Sequence, residues 1–333
     1  MKTTITLLAA ASIAGSAFAG TQIATNLVNL YGTNYSVASF NVISDVGLAG
    51  TSLQPEGMTF YNGTLYVAGD RDNGETRGSL VAYAGGNLAS PTRIALGQAL
   101  DSDAGSNQNW GPEGITVNTS GSGYGSFSSG PGRLAGVEGA GRDRAGVINL
   151  SDGSVTDLVG NAPQVFGNFD DLAFSASADA FFAVDGDLAS SPLVRLNKFT
   201  LAVEATIVAN WGGGNAKGLT VVSKAFAELL TGASILTDQA FIAAIKDGTG
   251  PLGVNRLVVA DLNGNIIGSQ QGFNLTGLGS RASEIEAIAV DEATGRIFVG
   301  DEGTRTIHVL TIPAPSALAL LGVAGLAGAR RRR

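Results

Sequence analysis

Carboxylates at two recurring places in a repeated pattern are the residues of this 333-residue chain best placed to do chemistry. Glu56, Glu113, Asp170 and Glu286 each open a segment in which a polar residue and a small one precede a short apolar run. The segments are Glu56-Gly57-Met58-Thr59-Phe60, Glu113-Gly114-Ile115-Thr116-Val117, Asp170-Asp171-Leu172-Ala173-Phe174 and Glu286-Ala287-Ile288-Ala289-Val290. Lys217 holds the same place in Lys217-Gly218-Leu219-Thr220-Val221. A second set, Asp70, Glu138, Asp185, Asp247 and Asp301, closes the apolar run that follows in each unit. Carboxylates can ligate calcium, which takes six to eight oxygens, or act as general acids and bases. The chain has no Cys and one His, His308, so thiolate chemistry and metal sites built on several imidazoles are excluded. A Ser-His-Asp triad would have His308 as its one possible base, and that residue reads as a member of an alternating strand. There is no G-x-S-x-G elbow, and Gly212 to Gly218 has its lysine before the glycine, unlike a phosphate-binding loop.

What must position these acids is a repeat. The five openings are spaced by 57, 57, 47 and 69 residues. Charged residues are 14% of the chain, glycine numbers 48, and short Val/Ile/Phe/Leu runs alternate with Gly, Asn, Asp and Ser, which is the usage of strands and tight turns. Each unit offers about four strands, as in Leu65 to Ala68, Leu80 to Tyr83 and Thr92 to Leu96 of the first, or Ala180 to Val184, Leu193 to Lys198 and Ala205 to Ala209 of the third. One helical stretch, Ser223 to Leu236, interrupts the fourth unit. The pattern predicts an all-β protein, a β-propeller of four-stranded blades. Five blades fit the count, and six fit if an irregular stretch hides another. The fifth unit lacks a strand before the chain's tail, and Tyr35 to Ile43 is expected to supply it and close the ring.

In such a ring the first strand of each blade starts, and the second ends, at one mouth. The geometry therefore gathers Glu56, Asp70, Glu113, Asp170, Asp185, Glu286 and Asp301 as candidate metal ligands, with Ca2+ the suspected ion and Glu113 and Glu286 as candidate bases. Taken singly, each acid also suits a blade turn. Trp110 and Trp211 each lie just before a first strand, where an indole either stacks on a sugar ring or caps the blade core.

The ends read differently. Lys2, an apolar run and Ala17-Phe18-Ala19 make residues 1–19 a secretory signal, leaving 20–311 as the body. Ile312-Pro313-Ala314-Pro315-Ser316 leads into an apolar segment, 316–329, and then Arg330-Arg331-Arg332-Arg333. This order over 312–333 resembles the PEP-CTERM class of sorting tails, with Ala314 where that motif has Glu. The resemblance implies an exosortase-type machinery as partner, export to the surface or extracellular matrix of a Gram-negative-type bacterium, and transient inner-membrane anchoring. The apolar stretch is shorter than the ~20 residues of a spanning helix, so membrane contact is expected only through the tail. Without its ends the body has 15 basic and 28 acidic residues, a net charge of −13, which disfavours nucleic acid and anionic membrane as partners.

Pro55-Glu56-Gly57-Met58, Pro112-Glu113-Gly114-Ile115 and the stretch from Glu286 through Gly295-Arg296-Ile297-Phe298-Val299-Gly300-Asp301-Glu302 resemble blades of phytase-like and esterase-like propellers. That resemblance implies calcium ligation by Glu56, Glu113, Glu286 and Asp301, with Arg71 and Lys217 as the nearest phosphate-binding residues. Two functions are expected. One is a surface propeller that binds calcium and an exopolysaccharide, another protein or a small ligand without chemistry. The other is a calcium-dependent hydrolase of phosphate or carboxylic esters.

Overall fold

The computed structural model describes residues 21–30, 33–41, 54–69, 79–88, 91–95, 111–128, 144–157, 169–184, 192–199, 203–207, 211–246, 255–268, 273–275 and 284–312. These are almost entirely strands. Strands β1 (Thr21–Leu30) and β2 (Thr33–Asn41) form an N-terminal hairpin. Antiparallel four-stranded meanders follow. The first is β3 (Gly57–Tyr61), β4 (Thr64–Gly69), β5 (Ser79–Ala84) and β6 (Pro91–Ala95). The second is β7 (Gly111–Val117), β8 (Gly123–Ser128), β9 (Arg144–Ile148) and β10 (Val155–Asp157). The third is β11 (Asp171–Ser175), β12 (Ala180–Val184), β13 (Leu193–Leu196) and β14 (Val203–Ile207). The fourth is β15 (Asn215–Ser223), β16 (Gln239–Lys246), β17 (Arg256–Asp261) and β18 (Phe273–Asn274).

The fifth unit has three consecutive strands, β19 (Ile285–Asp291), β20 (Arg296–Asp301) and β21 (Thr306–Thr311). Its fourth is β2, which pairs with β21 from Val37↔Leu310 to Asn41↔Thr306. The strand expected over Tyr35 to Ile43 thus takes the outer place in the fifth unit. Strand β1 adds a link the repeat pattern did not contain, since it joins β2 to β18 and merges the fourth and fifth units into one nine-stranded sheet.

The helix in the fourth unit is α1 (Lys224–Thr231), shorter than the stretch expected from sequence. The Ser223 hydroxyl accepts from Phe226 N as its N-cap, and Gly232, at φ 67°, ends it in the left-handed conformation that glycine adopts without penalty. Phe226, Ala227 and Leu230 bury its inner face against Val222, Ala240 and Ile242.

Each first strand lies against the next: β3 against β7, β7 against β11, β11 against β15, β15 against β19, and β19 against β3. The apolar residues of each unit pack between sheets, so Met58, Val67 and Tyr83 of the first meet Ala289, Phe298 and Val309 of the fifth. Strands buried on both faces explain the near-continuous apolar runs in the sequence. The leader, 1–19, and the tail beyond Ile312 lie outside the described residues, among which no helix is long and apolar enough to cross a membrane.

Candidate functional site

The residue opening each repeat sits at an irregularity that recurs in all five units. Between β7 and β8 the register jumps from Pro112↔Phe127 to Gly114↔Ser126, leaving Glu113 as the extra residue. Between β15 and β16 it jumps from Ala216↔Ile245 to Gly218↔Ala244, leaving Lys217. Between β19 and β20 it jumps from Ile285↔Asp301 to Ala287↔Gly300, leaving Glu286. In the first unit Glu56 N donates to Ala68 O while Ala68 pairs with Gly57, so two residues again face one. In the third, Asp170 N donates to Val184 O while Val184 pairs with Asp171. A bulge bends its strand and re-aims the extra side chain.

The small residue after each opening has its own cause. A Cβ on Gly57 would fall 2.6 Å from Gly114 Cα, and one on Gly218 would fall 2.7 Å from the Glu286 carbonyl oxygen. At these two positions the neighbouring first strand approaches so closely that its backbone leaves no room for a side chain. Asp171 stands in the small residue's place in the third unit and uses the closeness differently. Its carboxylate accepts from Leu172 N and, across to the fourth unit, from Leu219 N, both at 2.8 Å. Complete burial pushes this acid well above its ordinary range, while the N–H groups of Leu219, Leu172 and Ile115 pull it down and the charge of Asp170 adds to the rise.

At this level three carboxylates converge from two units. One oxygen each of Glu56, Glu286 and Glu302 lie within 4.8 Å of one another. Glu56 is buried, and Glu286 has 13% of its side chain exposed. Lys246, at the end of β16, places Nζ 2.9 Å from Glu286 and 4.0 Å from Glu284. The Gln54 amide donates to Glu302 at 3.3 Å. Burial, then the charges of Glu286 and Glu284, push Glu302 up to about 7, although Lys246 pulls it down. Burial works against the Lys246 ammonium, but the hydrogen bond and charge of Glu286 and the charges of Glu284 and Glu302 outweigh it and raise its pKa. On the opposite flank of the fourth unit, Lys217 is ion-paired to Asp170, and both side chains are largely buried.

Of the residues singled out from sequence, the fold brings Glu56 and Glu286 together and pairs Asp170 with Lys217. Asp301 is fully buried, and its carboxylate accepts from Glu284 N at 2.8 Å and from Thr304 N and Oγ1 at 2.7 Å. Trp211 is 2% exposed within the core of the third and fourth units, and its carbonyl accepts from the buried Arg256 guanidinium at 2.8 Å. His308 is buried in β21. Glu113 lies in β7, and Asp70, Arg71, Trp110, Glu138, Asp185 and Asp247, like the side chain of Glu113, fall outside the described residues. Sequence reasoning missed Glu302 and Lys246. Each is one residue from a position it did select, Asp301 and Asp247: Glu302 lies in the turn just past β20, and Lys246 is the last residue of β16.

No family model matches the chain, and no curated protein matches it. Solved structures do match in fold. Glutaminyl cyclase from Myxococcus xanthus is 11% identical over 86% of this chain and 96% of its own, with a TM-score of 0.50. A GH43_1 enzyme from Xanthomonas citri, complexed with xylose, is 11% identical over 83% of this chain and 89% of its own, at 0.51. An exo-β-1,3-galactanase from Phanerochaete chrysosporium, with galactose, is 14% identical over 85% of this chain and 64% of its own, at 0.54. These likenesses show a propeller-type fold.

Proposed function

We propose that this protein is an exported five-bladed propeller whose acidic mouth holds a divalent cation of the calcium type and engages its ligand there. The recurring bulge in five units, the contact of β19 with β3 and the pairing of β2 with β21 support the five-bladed, closed reading. The leader-like and PEP-CTERM-like ends support export and sorting by an exosortase-type machinery to the cell surface or matrix.

The observation that carries the site is the convergence of Glu56, Glu286 and Glu302 oxygens within 4.8 Å. Ligands on one calcium ion, at 2.3 to 2.6 Å from it, can lie up to about 5 Å apart, so this spacing fits a shared ion. Three carboxylates this close repel unless a proton or a cation intervenes, and Glu302 is raised first by burial and then by the charges of Glu286 and Glu284. When bound, calcium would supply positive charge and Lewis-acid stabilisation to a ligand oxygen at the mouth. The experiment is thermal unfolding of the body, residues 20–311, in calcium and in chelator, repeated with Glu286→Gln. A calcium-dependent rise that the variant loses supports the site, and an unchanged wild-type midpoint removes it.

A hydrolase is the second reading, favoured by one feature of the same cluster. Glu286 is held beside the Lys246 ammonium while Glu302 is poised to keep a proton near neutrality. A carboxyl that keeps its proton near neutrality suits a general acid, and Glu286 beside it is the candidate base. The three solved structures described above are enzymes, which leans the same way. Turnover of an aryl ester that is lost in both Glu286→Gln and Glu302→Gln would support it, and no turnover across a panel of esters and glycosides would leave a binding protein.

A further inference from the structure

The fourth unit sends two lysines to the mouth, and each already faces a carboxylate at contact distance. Lys217 is ion-paired to Asp170, with 13% and 9% of the two side chains exposed. Lys246 is paired to Glu286 at 2.9 Å, with Glu284 close behind at 4.0 Å. Counting only the two ion pairs, Glu284 and the three-carboxylate cluster, Glu56, Asp170, Glu284, Glu286 and Glu302 stand formally against these two ammoniums, an excess of three negative charges. One divalent cation on Glu56, Glu286 and Glu302 would still leave the excess negative. Lysine captures phosphate as a point charge, and an ammonium already neutralised at contact distance by a partly buried carboxylate has little field left to offer.

We infer that Asp170 and Glu286 act as internal counter-ions that set the specificity of the mouth by turning phosphorylated ligands away. This rests on the reading that the mouth is the functional site. It narrows the ester-hydrolase alternative from phosphate or carboxylic esters to carboxylic esters. It also gives Lys217 a role other than the phosphate capture implied by resemblance, that of holding Asp170 in place across two units.

The test compares phenyl phosphate with its uncharged dimethyl ester as probes of the thermal midpoint, at millimolar concentration. It is run in chelator so that no metal bridges the phosphate, on the wild-type body, on Asp170→Asn and on Asp170→Asn/Glu286→Gln. Phenyl phosphate is expected to leave the wild-type midpoint unmoved and to raise it in the variants, more in the double one, while the dimethyl ester does not distinguish the three. A wild-type rise with phenyl phosphate exceeding that with the ester would overturn the inference, and this arm needs no variant to fold. Folded variants that gain no phosphate-dependent rise would equally overturn it, because the two carboxylates at contact distance would then not be what denies phosphate the lysines. A calcium arm run in parallel separates the two claims, since loss of the calcium shift with the phosphate pattern intact removes the cation site and leaves the specificity standing.

Discussion

Gly57→Ala is the perturbation that probes the close approach of first strands most sharply. The added Cβ would lie 2.6 Å from Gly114 Cα, 2.8 Å from Gly114 C and 2.8 Å from Ile115 N. All three are backbone atoms of the neighbouring first strand, so no side chain can swing aside and β3 and β7 must separate. Overpacking of this kind costs typically 1 to 3 kcal/mol, and with three backbone contacts we place it at about 3. Replacing glycine also narrows the unfolded ensemble, which offsets roughly 0.4 to 1 kcal/mol. The net loss is about 2 kcal/mol, equivalent to a fall in midpoint of about 3 °C for a body of roughly 290 residues. Scanning calorimetry of the body reads this directly. Gly85→Asn serves as control, since Gly85 has φ 65° with nothing within 4 Å of where its Cβ would lie, and asparagine tolerates that conformation. A Gly57→Ala midpoint within about 1 °C of wild type would refute the claim that these strands touch at the level of the acids.

Asp171→Ala strips acceptors from the buried N–H groups of Leu172 and Leu219 and is expected to cost about 3 kcal/mol, with Asp171→Asn recovering part of it in urea titrations. Trp211→Ala removes a core indole and should destabilise by about 3 to 5 kcal/mol; unchanged stability would place the indole at a ligand surface instead. The Glu302 carboxyl titrates at about 7 in the folded protein against 4.5 as its ordinary value, so the native state holds the proton more tightly than the unfolded chain. Without metal, stability should therefore fall as pH rises from about 4.5 to 7 and level off above it, and Glu302→Gln should flatten that slope in melts from pH 5 to 8.

The fold was legible because one physical pattern repeats. A polar residue, a small residue and an apolar run mark the bulge, the close backbone approach and the buried strand, and these are needed afresh in every unit. The strand that completes the fifth unit was legible by elimination, since β19 to β21 lack a fourth member. Strand β1 was not, because its tie to β18 is a pairing between the two ends of the body that no local periodicity encodes. Of the candidate site, the repeat pattern picked out Glu56 and Glu286, whose oxygens converge. Asp301 closes the second strand as expected, but its carboxylate is taken up by the backbone of Glu284 and Thr304, and Glu302 beyond it reaches the cluster. Which of two adjacent acids faces the mouth depends on where the strand ends, and sequence locates that only approximately.

The central claim, that acids far apart in the chain form one cation site, is tested most directly by titrating calcium into the chelator-stripped body in a calorimeter. Binding saturating at one ion per chain, and abolished by Glu286→Gln in a protein that remains folded, is the predicted result. No heat of binding, together with a melting midpoint indifferent to calcium, would contradict it.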